Sequence, residues 1–339
     1  MTTTENQFER LRCIKRVDET SDASTFEFEH LDQRPFNFQA GQFLTFEINH
    51  YNNLLYRAYS ICSSPAKPNS VTVAIKRVPG GKISNYLIDN LQAGHALPAM
   101  APAGKFTREE NKTTNNLLLM SAGSGITPCL AIARDILDTE QAINIHFIHS
   151  ARRSDDVIML SLLNELADKH KNFRLTMILE TTDNATDFHG RLDKTMFAEL
   201  VASVSEQTIF ICGPSLYMKS VEEIVSATDF DMDYFHKESF VAEAKTGETV
   251  FSDITHEISV PAIDKAFIAN DQQTLLDALH GAGIKVPYSC KSGVCGACKC
   301  KVSGNVVSTS QETLTAEQIE LGYVLSCSTK ANSDLVVEI

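Results

Sequence analysis

The sequence lacks the features of two large protein classes. Its 30 lysine and arginine residues are outnumbered by 43 aspartate and glutamate residues, which gives a net charge of −13. A nucleic-acid-binding protein would carry a basic face, so this charge balance argues against that class. No apolar run reaches the length that crosses a bilayer, and LLLM at 117–120 lies among polar residues. We therefore expect a protein that binds neither nucleic acid nor membrane.

The amino terminus and the cysteine content indicate a compartment. The first residues, MTTTENQFERLRC, contain no apolar segment of the kind found in a signal peptide. The sequence nevertheless has nine cysteines. Without a secretion signal, such a number favours metal or redox use in a reducing compartment over disulfides. We therefore expect a cytoplasmic protein.

Four of the cysteines have the spacing of an iron–sulfur ligand set. Cys290, Cys295 and Cys298 follow a C-x4-C-x2-C pattern, and Cys327 lies further along. This is the plant-type arrangement for a [2Fe–2S] cluster. Zinc is the alternative, but a structural zinc site usually repeats C-x2-C pairs, and the sequence has no second pair. Cys300, two residues past a ligand, is a less favoured alternative ligand.

Hydrophobic patterning divides the 339 residues into three segments. Residues 10–105 read as short alternating strands, which predict an antiparallel β-barrel. From about residue 113, apolar strands alternate with helical stretches, as in a doubly wound parallel α/β sheet. The polar stretch 241–253 predicts a linker before a compact α+β unit that holds the four cysteines. The expected domains are 1–110, 111–240 and 256–339, with the linker at 241–255.

Two turns follow predicted strands of the second segment. AGSGITP (122–128) places Gly123 and Gly125 between a strand and a helix, where the backbone can approach a phosphate. CGP, from Cys212 to Pro214, ends a later strand. Ligands of open α/β sheets bind at such carboxyl ends, so the two turns together predict a nucleotide crevice. Taken alone, AGSGITP also fits a tight strand–helix turn without a ligand.

Two motifs in the first segment favour a flavin. RAYS, from Arg57 to Ser60, offers a guanidinium for a phosphate, a tyrosine ring for stacking and a hydroxyl for a ring nitrogen. Lys76 then precedes a glycine turn and Ser84, which starts a helix in an anion-binding arrangement. By itself, RAYS also fits an ordinary strand with an exposed arginine.

In this order and at these distances, RxYS, IK…GGKxS, GxGITP and CGP resemble the ferredoxin–NADP⁺ reductase superfamily. With the C-terminal plant-type ferredoxin, residues 8–339 resemble a single-polypeptide NADH oxidoreductase. The likeness is greatest to those that serve the hybrid-cluster protein, through RAYSICSSP and GYVLSC. Reductases of Rieske-type oxygenases, including those that demethylate betaines, are also similar. The resemblance implies a multi-domain fold: an antiparallel β-barrel flavin domain, an α/β doubly wound nicotinamide domain and an α+β (β-grasp) ferredoxin domain.

The resemblance also implies roles for single residues. Ser60 would lie near flavin N5 and Cys212 near nicotinamide C4, and Glu238 with Phe240 would close the site. For Glu238 the alternative is a surface helix carboxylate. Ser60, Cys212 and Glu238 are thus the expected catalytic residues. The expected cofactor-binding residues are Arg57, Ala58, Tyr59, Ser60, Ala74, Lys76, Gly81, Lys82, Ile83, Ser84, Gly123, Gly125, Thr127, Arg152, Gly213 and Pro214.

The implied electron route runs from NADH through a flavin and the [2Fe–2S] cluster to an external acceptor protein. A flavin is needed because a nicotinamide gives two electrons together, whereas the cluster takes one. The GGKIS turn favours FAD, although some relatives with this domain order use FMN. Arg152 and Arg153 leave NADPH open, but Asp155 and Asp156 would repel a 2′-phosphate. We therefore expect NADH.

Three functions follow from these patterns. The expected one is an NADH reductase of a hybrid-cluster protein. The alternatives are the reductase of a Rieske-type oxygenase or demethylase and a flavin redox sensor without turnover, although intact RAYS, GSGITP and CGP weigh against the sensor. Lys291, Lys299 and Lys301 near the cluster form either a docking patch for an acidic partner or a solvated strand face.

Overall fold

A computed structural model describes residues 8–51, 53–181, 188–240, 254–291, 293–311 and 313–339. The chain forms two compact units, Met1–Leu44 with Tyr59–Phe240 and Thr45–Ala58 with Val241–Ile339. Of the linker predicted at 241–255, residues 241–253 lie outside the described part. In the described part, no helix is long and apolar enough to cross a membrane.

The amino-terminal part is an antiparallel β-barrel. Its interior holds fully buried phenylalanines such as Phe26 and Phe28, which stand at alternate positions of one strand and so point to the same face. An isolated bridge between Ile61 and Val73 links the two ends of the sheet, whose order is β4-β3-β6-β1-β2-β5. The elements are β1 (Phe8–Thr20), β2 (Ala23–His30), β3 (Phe43–His50), β4 (Asn53–Ser60), β5 (Val71–Lys76), α1 (Lys82–Asn90) and β6 (Ala96–Met100).

The middle part is a parallel α/β sheet with the strand order β10-β9-β8-β7-β11-β12. The order reverses between β7 and β11, and this switch point is where open sheets bind ligands. The elements are β7 (Asn116–Ala122), α2 (Ile126–Asp138), β8 (Asn144–Ala151), α3 (Leu160–Lys169), β9 (Phe173–Leu179), β10 (Phe188–His189), α4 (Lys194–Leu200), β11 (Thr208–Cys212), α5 (Ser215–Ser226) and β12 (Phe235–Glu238).

Helix α2 is buried on nearly all sides. Every residue from Ile126 to Ala133 is almost inaccessible to solvent. The same hydrophobic cluster contains sheet residues such as Phe147 and barrel residues such as Ala74 and Phe106. A helix that is apolar all round belongs in the interior. The helix that follows the GSGITP turn therefore lies between the sheet and the barrel, and it holds that turn where the two meet.

The carboxy-terminal part is a β-grasp domain with the strand order β14-β13-β19-β15-β17. Its central pair, β13 and β19, is parallel, and helix α6 packs on one face through three buried leucines. The three predicted fold types are therefore confirmed. The elements are β13 (Thr255–Val260), β14 (Lys265–Asn270), α6 (Leu275–Gly281), β15 (Lys299–Ser303), β16 (Val306–Ser308), α7 (Ala316–Glu320), β17 (Tyr323–Leu325), β18 (Thr329–Ala331) and β19 (Leu335–Glu338).

Two backbone turns meet at the switch point at a distance that only glycine permits. A Cβ atom on Gly125 would lie 2.2 Å from the carbonyl oxygen of Cys212 and 2.6 Å from the amide nitrogen of Gly213. Backbone atoms cannot move aside as the end of a flexible side chain can. The GSGITP glycine is therefore required for the contact between the β7–α2 turn and the CGP turn.

We expect Gly125→Ala to lower the free energy of unfolding by about 3 kcal/mol, because the new methyl group forces the two turns apart. Chemical denaturation of both proteins measures the difference. Gly281→Ala is the control, since a Cβ there meets nothing within 4 Å and should leave stability nearly unchanged. Equal stability of Gly125→Ala and the wild type would contradict this reading of the contact.

Candidate active site and cluster site

Three of the predicted site residues meet at the carboxyl edge of the parallel sheet. Cys212, the last residue of β11, pairs in register with Glu238, the last residue of β12. Ser60 ends β4, and its Oγ donates a hydrogen bond of 3.2 Å to Oε2 of Glu238. Glu238 thus lies on a strand and not on the surface helix considered from the sequence. The structure brings the three predicted catalytic side chains into one place.

The carboxyl group of Glu238 is poorly hydrated. Residue Glu238 is only partly covered as a whole, but desolvation of its carboxyl group raises the pKa to about 8, and the hydrogen bond from Ser60 opposes that rise. Burial, followed by the nearby charge of Glu238, also raises the pKa of the Cys212 thiol well above its usual range. At neutral pH both groups are therefore protonated, and the site holds two protons in a desolvated environment.

Cys129 of α2 is a fully buried core residue close to this site. It belongs to the same hydrophobic cluster as Cys212, and its Sγ atom is 3.5 Å from the carbonyl oxygen of Met120. Burial raises the pKa of this thiol, and the charge of Glu238 adds to the rise. The thiol therefore stays protonated and packs as a small hydrophobic side chain.

The RAYS residues occupy the end of β4. The Nη1 atom of Arg57 donates a 2.6 Å hydrogen bond to the carbonyl oxygen of Tyr56, and Arg57, Ala58 and Tyr59 are all partly exposed. The neighbouring Tyr56 is buried, and it was not among the cofactor-binding residues predicted from the sequence. The half-exposed Arg57 guanidinium keeps donors available for a phosphate.

A cavity of ≈ 590 Å³ opens beside the turn between β5 and α1. Lys76, Arg77 and Arg152 line it. Lys76 Nζ lies 2.6 Å from Oδ1 of Asp22. Burial opposes ionisation of Asp22, but hydrogen bonds from Lys76 and Thr20 together hold its pKa below the usual range. Asp89 also lines the cavity and pairs with Arg77. The three basic side chains thus exceed the two lining carboxylates by one charge, and each basic group already has an acidic neighbour.

The GGKIS turn is packed against the first turn of α1. Gly81 is its N-cap residue, and Oγ of Ser84 accepts a 3.1 Å hydrogen bond from the amide of Val78. The Ile83 side chain is buried in the core, so only its backbone amide can face a ligand. Lys82 is exposed. Ala74, on β5, is buried in the cluster around α2.

The two turns at the switch point offer backbone rather than side-chain groups. Gly123 has a φ of +54°, a left-handed conformation that favours glycine. The Thr127 hydroxyl donates a 3.0 Å hydrogen bond to the carbonyl oxygen of Ser124, so it stabilises its own turn. Gly213 is followed by Pro214, the N-cap residue of α5. Backbone amides beside two helix N-termini suit a dinucleotide pyrophosphate.

The four predicted cluster ligands converge in the carboxy-terminal domain. Hydrogen bonds with the thiols of Cys290 and Cys298 raise the pKa of Cys327, and one with Cys290 raises that of Cys295. Within the described residues, no group of three or more His, Cys, Asp or Glu side chains could hold a single metal ion. A [2Fe–2S] cluster does not require three side chains around one metal ion, because its four thiolates are divided between two irons.

Distant serines shape the loop that carries the first three cysteines. Gly293 has a φ of +78°, and a Cβ there would lie 2.7 Å from side-chain atoms of Ser310 and Ser328. The Ser310 hydroxyl donates to the carbonyl oxygen of Gly293 over 2.8 Å. The Ser326 amide donates to the carbonyl oxygen of Cys298 over 3.0 Å, which ties the turn of the fourth cysteine to the loop. No motif in the sequence pointed to these serines.

The three lysines considered as one docking patch occupy two places. Lys291 Nζ lies 4.9 Å from the ring centre of Tyr288 and 3.9 Å from Asp277 of α6. Lys299 and Lys301 alternate with buried residues on β15, so they point away from the core that α6 covers. The three side chains therefore do not form a single patch.

Comparison with known proteins agrees with this architecture. Residues 10–107 match an oxidoreductase FAD-binding domain, residues 119–223 an oxidoreductase NAD-binding domain and residues 262–332 a 2Fe-2S iron-sulfur cluster binding domain. The glycine betaine monooxygenase reductase subunit of Pseudomonas aeruginosa is 33% identical over 97% of this chain and 94% of its own. The chain belongs to the flavin- and [2Fe–2S]-dependent NAD(P)H reductases.

Two further proteins are similar to this chain over nearly its whole length. NADH oxidoreductase HCR of Escherichia coli is 32% identical, and the match covers 97% of each chain. The solved structure of phthalate dioxygenase reductase has a TM-score of 0.64 and 23% identity over 100% of both chains. The reductase thus transfers electrons with FAD, a nicotinamide and a [2Fe–2S] cluster, as the sequence predicted.

The described residues fit these cofactors. The cavity beside α1 places basic side chains at the GGKIS turn, two glycine turns meet at the nucleotide crevice, and the four cysteines of the cluster motif lie close enough to shift one another's pKa. Cys290 is partly exposed, whereas the other three cluster cysteines are buried. The cluster site is therefore most accessible on the side of Cys290.

We expect Cys327→Ala to abolish the visible absorbance of the cluster and lower the iron content below about two per chain, because one iron loses a ligand. Iron analysis and electron paramagnetic resonance of the reduced protein measure this. Cys300→Ala is the matched control, since Cys300 is buried in the core with Val302 and Val324 and should keep a full cluster. Loss of the cluster in Cys300→Ala but not in Cys327→Ala would show that Cys300, and not Cys327, is the fourth ligand.

We expect Glu238 to make stability depend on pH. Because its folded pKa is raised from 4.5 to about 8, the folded state binds more protons than the unfolded state, and stability falls as pH rises between these values. The slope is up to about 1.4 kcal/mol per pH unit.

Glu238→Gln removes this dependence, so its melting temperature should exceed that of the wild type at pH 9 and approach it at pH 5. Calorimetry at several pH values measures both. Glu165→Gln, an exposed change on α3, is the control and should follow the wild type. A constant difference between Glu238→Gln and the wild type at all pH values would show that the carboxyl group does not titrate in this range.

Proposed function

We propose that this reductase oxidises NADH at the site formed by Ser60, Cys212 and Glu238 and delivers the electrons to a separate oxygenase protein. The observation that carries the site is the 3.2 Å hydrogen bond between Ser60 and Glu238, beside Cys212 on the adjacent strand. The full-length likeness to a glycine betaine monooxygenase reductase subunit supports the choice of acceptor.

In this proposal the flavin domain holds its cofactor with charged groups and backbone amides. Arg57 and Lys76 contact phosphate, and Tyr59 and Ala58 face the ring system. The amides of Gly81, Lys82, Ile83 and Ser84 complete the phosphate contacts. When bound, FAD accepts two electrons from a nicotinamide and releases them singly to the cluster. The protein supplies binding and orientation for that chemistry.

The nicotinamide domain contributes the other half of the site. The backbone of Gly123, Gly125 and Gly213 lets the dinucleotide approach the sheet edge, while Thr127 and Pro214 hold the two turns in shape. Cys212 would lie on the side of the bound nicotinamide, and its raised thiol pKa keeps it uncharged. Glu238 holds a proton at neutral pH because its carboxyl group is desolvated. Ser60 lies within hydrogen-bond reach of that proton.

The second candidate acceptor is the hybrid-cluster protein expected from the sequence. The likeness to NADH oxidoreductase HCR over 97% of both chains favours it. The electron route from NADH to the cluster is the same for both acceptors, and only the terminal protein differs. The flavin redox sensor has no such support, because the relatives reported above are named as reductases. The cytoplasmic location stays a prediction.

The test of the acceptor is NADH oxidation by the purified holoenzyme with each terminal protein. A Rieske-type oxygenase is supplied with glycine betaine and oxygen, and a hybrid-cluster protein is supplied with hydroxylamine under nitrogen. Substrate-dependent turnover with the oxygenase alone supports the proposal. Turnover with the hybrid-cluster protein alone replaces it by the second candidate.

A cytochrome c assay separates the reductase from the sensor. Rapid NADH-dependent reduction of cytochrome c excludes a non-catalytic sensor. If NADH reduces the flavin and the cluster but neither terminal protein supports turnover, the proposed acceptors are wrong and the site proposal stands. If NADH leaves the flavin oxidised, the site proposal fails.

The preference for NADH over NADPH also belongs to this proposal. Arg152 Nε lies 3.4 Å from Asp156, and Arg153 makes two hydrogen bonds of 2.8 and 2.9 Å with Asp155. Each guanidinium that could bind a 2′-phosphate is thus accompanied by a carboxylate that would repel it. A 2′-phosphate gains little from an arginine that is already paired.

We expect the double variant Asp155→Asn/Asp156→Asn to raise kcat/KM for NADPH about tenfold, since freeing one charged hydrogen bond is worth about 1.4 kcal/mol. The value for NADH should stay constant. Steady-state kinetics with both nucleotides measure this. Asp168→Asn/Asp229→Asn, which removes two exposed aspartates of the same domain, is the charge-matched control. No gain for NADPH beyond the control would contradict the role of the two pairs.

A further inference from the structure

The Tyr217 ring packs beside the two turns that form the nucleotide crevice. It belongs to the third residue of α5, and side chains of a helix point back toward the start of that helix. A Cβ atom on Gly213 would lie 3.0 Å from Cδ1 of Tyr217 and 3.1 Å from Cβ of Ala122. The ring therefore lies where the CGP turn meets the first residue of AGSGITP, and both turns belong to the matched NAD-binding domain.

The hydroxyl group of Tyr217 reaches the next strand of the sheet. Burial raises the pKa of Tyr217, and the hydroxyl of Ser150 opposes that rise, so the two hydroxyls are neighbours. Ser150 is the last residue but one of β8, and it pairs in register with Ala122 of β7. Tyr217 thus extends from the end of β11 across β7 to β8, along the carboxyl edge where the nucleotide is expected.

Neither hydroxyl has a hydrogen-bond partner of normal geometry. In the described part of the chain, Oη of Tyr217 and Oγ of Ser150 are inaccessible to solvent and make no hydrogen bond. A buried polar group without a partner lowers stability, and phenylalanine or alanine would avoid that loss. Both residues are nevertheless partly exposed as a whole. The two oxygens therefore lie just beneath the surface, where a polar group of a ligand can reach them after a small side-chain movement.

The position and the chemistry of the two hydroxyls favour a ribose as the ligand group. Ser150 precedes Arg152 by two residues, and Arg152 is one of the two arginines that a 2′-phosphate would meet in the proposed function. The ribose that carries this 2′-position is the one of the adenosine half. Each hydroxyl both donates and accepts a hydrogen bond. Two adjacent hydroxyls therefore match the two hydroxyls of a ribose, whereas a phosphate requires donors only.

We propose that the hydroxyls of Tyr217 and Ser150 bind the ribose hydroxyls of the adenosine half of NADH. This inference rests on the proposed function, because it takes the crevice at the two turns as the nucleotide site. On binding, the Tyr217 side chain turns enough to expose its oxygen, and both hydroxyls gain the partners that they lack in the free enzyme. The tyrosine hydroxyl thus weakens the free enzyme and strengthens the complex.

The test measures stability and nucleotide binding in the same holoenzyme variant. We expect Tyr217→Phe to raise the melting temperature of the nucleotide-free protein by about 2 °C, because the buried hydroxyl without a partner is removed. The same variant should bind AMP about fivefold more weakly, because one neutral hydrogen bond to the ribose is lost. A tyrosine that only supports the fold would not change stability and affinity in opposite directions. Scanning and titration calorimetry measure the two quantities.

A second ligand shows whether the ribose is the group that is recognised. The monophosphate of 2′,3′-dideoxyadenosine lacks both ribose hydroxyls, so it should bind Tyr217→Phe and the wild type equally well. Ser150→Ala should reproduce the loss of affinity for AMP. Tyr234→Phe is the matched control, since it changes a partly exposed tyrosine at the amino end of β12, opposite to the crevice. It should resemble the wild type in both measurements.

Three results for Tyr217→Phe would each overturn the proposal: unchanged affinity for AMP, an equal loss of affinity for the dideoxy analogue, or a lower melting temperature. The last result would show that the hydroxyl is already hydrogen-bonded in the free enzyme. A wild type that binds no AMP would overturn it as well. AMP binding requires no electron transfer, so these results leave the proposed function intact. A wild-type flavin that NADH leaves oxidised would instead refute the proposed function.

Discussion

The contact between the β7–α2 turn and the end of β11 is the constraint on which the rest of the site depends. A side chain at Gly125 would lie 2.2 Å from the carbonyl oxygen of Cys212. The glycine lets β7 and β11 end close together at the carboxyl edge of the sheet. At this edge Cys212, the last residue of β11, pairs with Glu238 of β12. Because α2 is buried between sheet and barrel, the same contact also holds the sheet edge against Ser60.

Desolvation then decides the chemistry of that edge. The carboxyl group of Glu238 and the thiols of Cys129 and Cys212 all have raised pKa values, and burial is the first cause in each case. Their protons stay in place at neutral pH. The carboxyl edge of the sheet therefore carries titratable groups with strongly perturbed pKa values, a feature that is common at functional sites. The barrel and the sheet cause this desolvation by excluding water from both sides.

The carboxy-terminal domain handles charge differently. Its cysteine loop is held by the hydroxyls of Ser310 and Ser328, while Lys299 and Lys301 are partly exposed on its outer face. The interior of the domain thus serves the geometry of the cluster ligands, and the charged side chains stay at the surface. The division follows from β15, whose alternate residues point to the core and to solvent.

Local sequence determined much of this protein. The spacing of Cys290, Cys295 and Cys298 and the glycines of GSGITP are readable because a loop or turn needs its residues within a few positions of one another. The strand and helix patterns likewise predicted all three domain folds. Only the tertiary structure decided the rest. Ser60 and Glu238 are 178 positions apart, and only the packing of the barrel against the sheet brings their side chains within 3.2 Å. Lys291 lies beside α6, whereas Lys299 and Lys301 point away from the core on β15, and their spacing alone does not reveal this difference. These relations depend on how distant elements pack, and no short stretch of sequence contains that information.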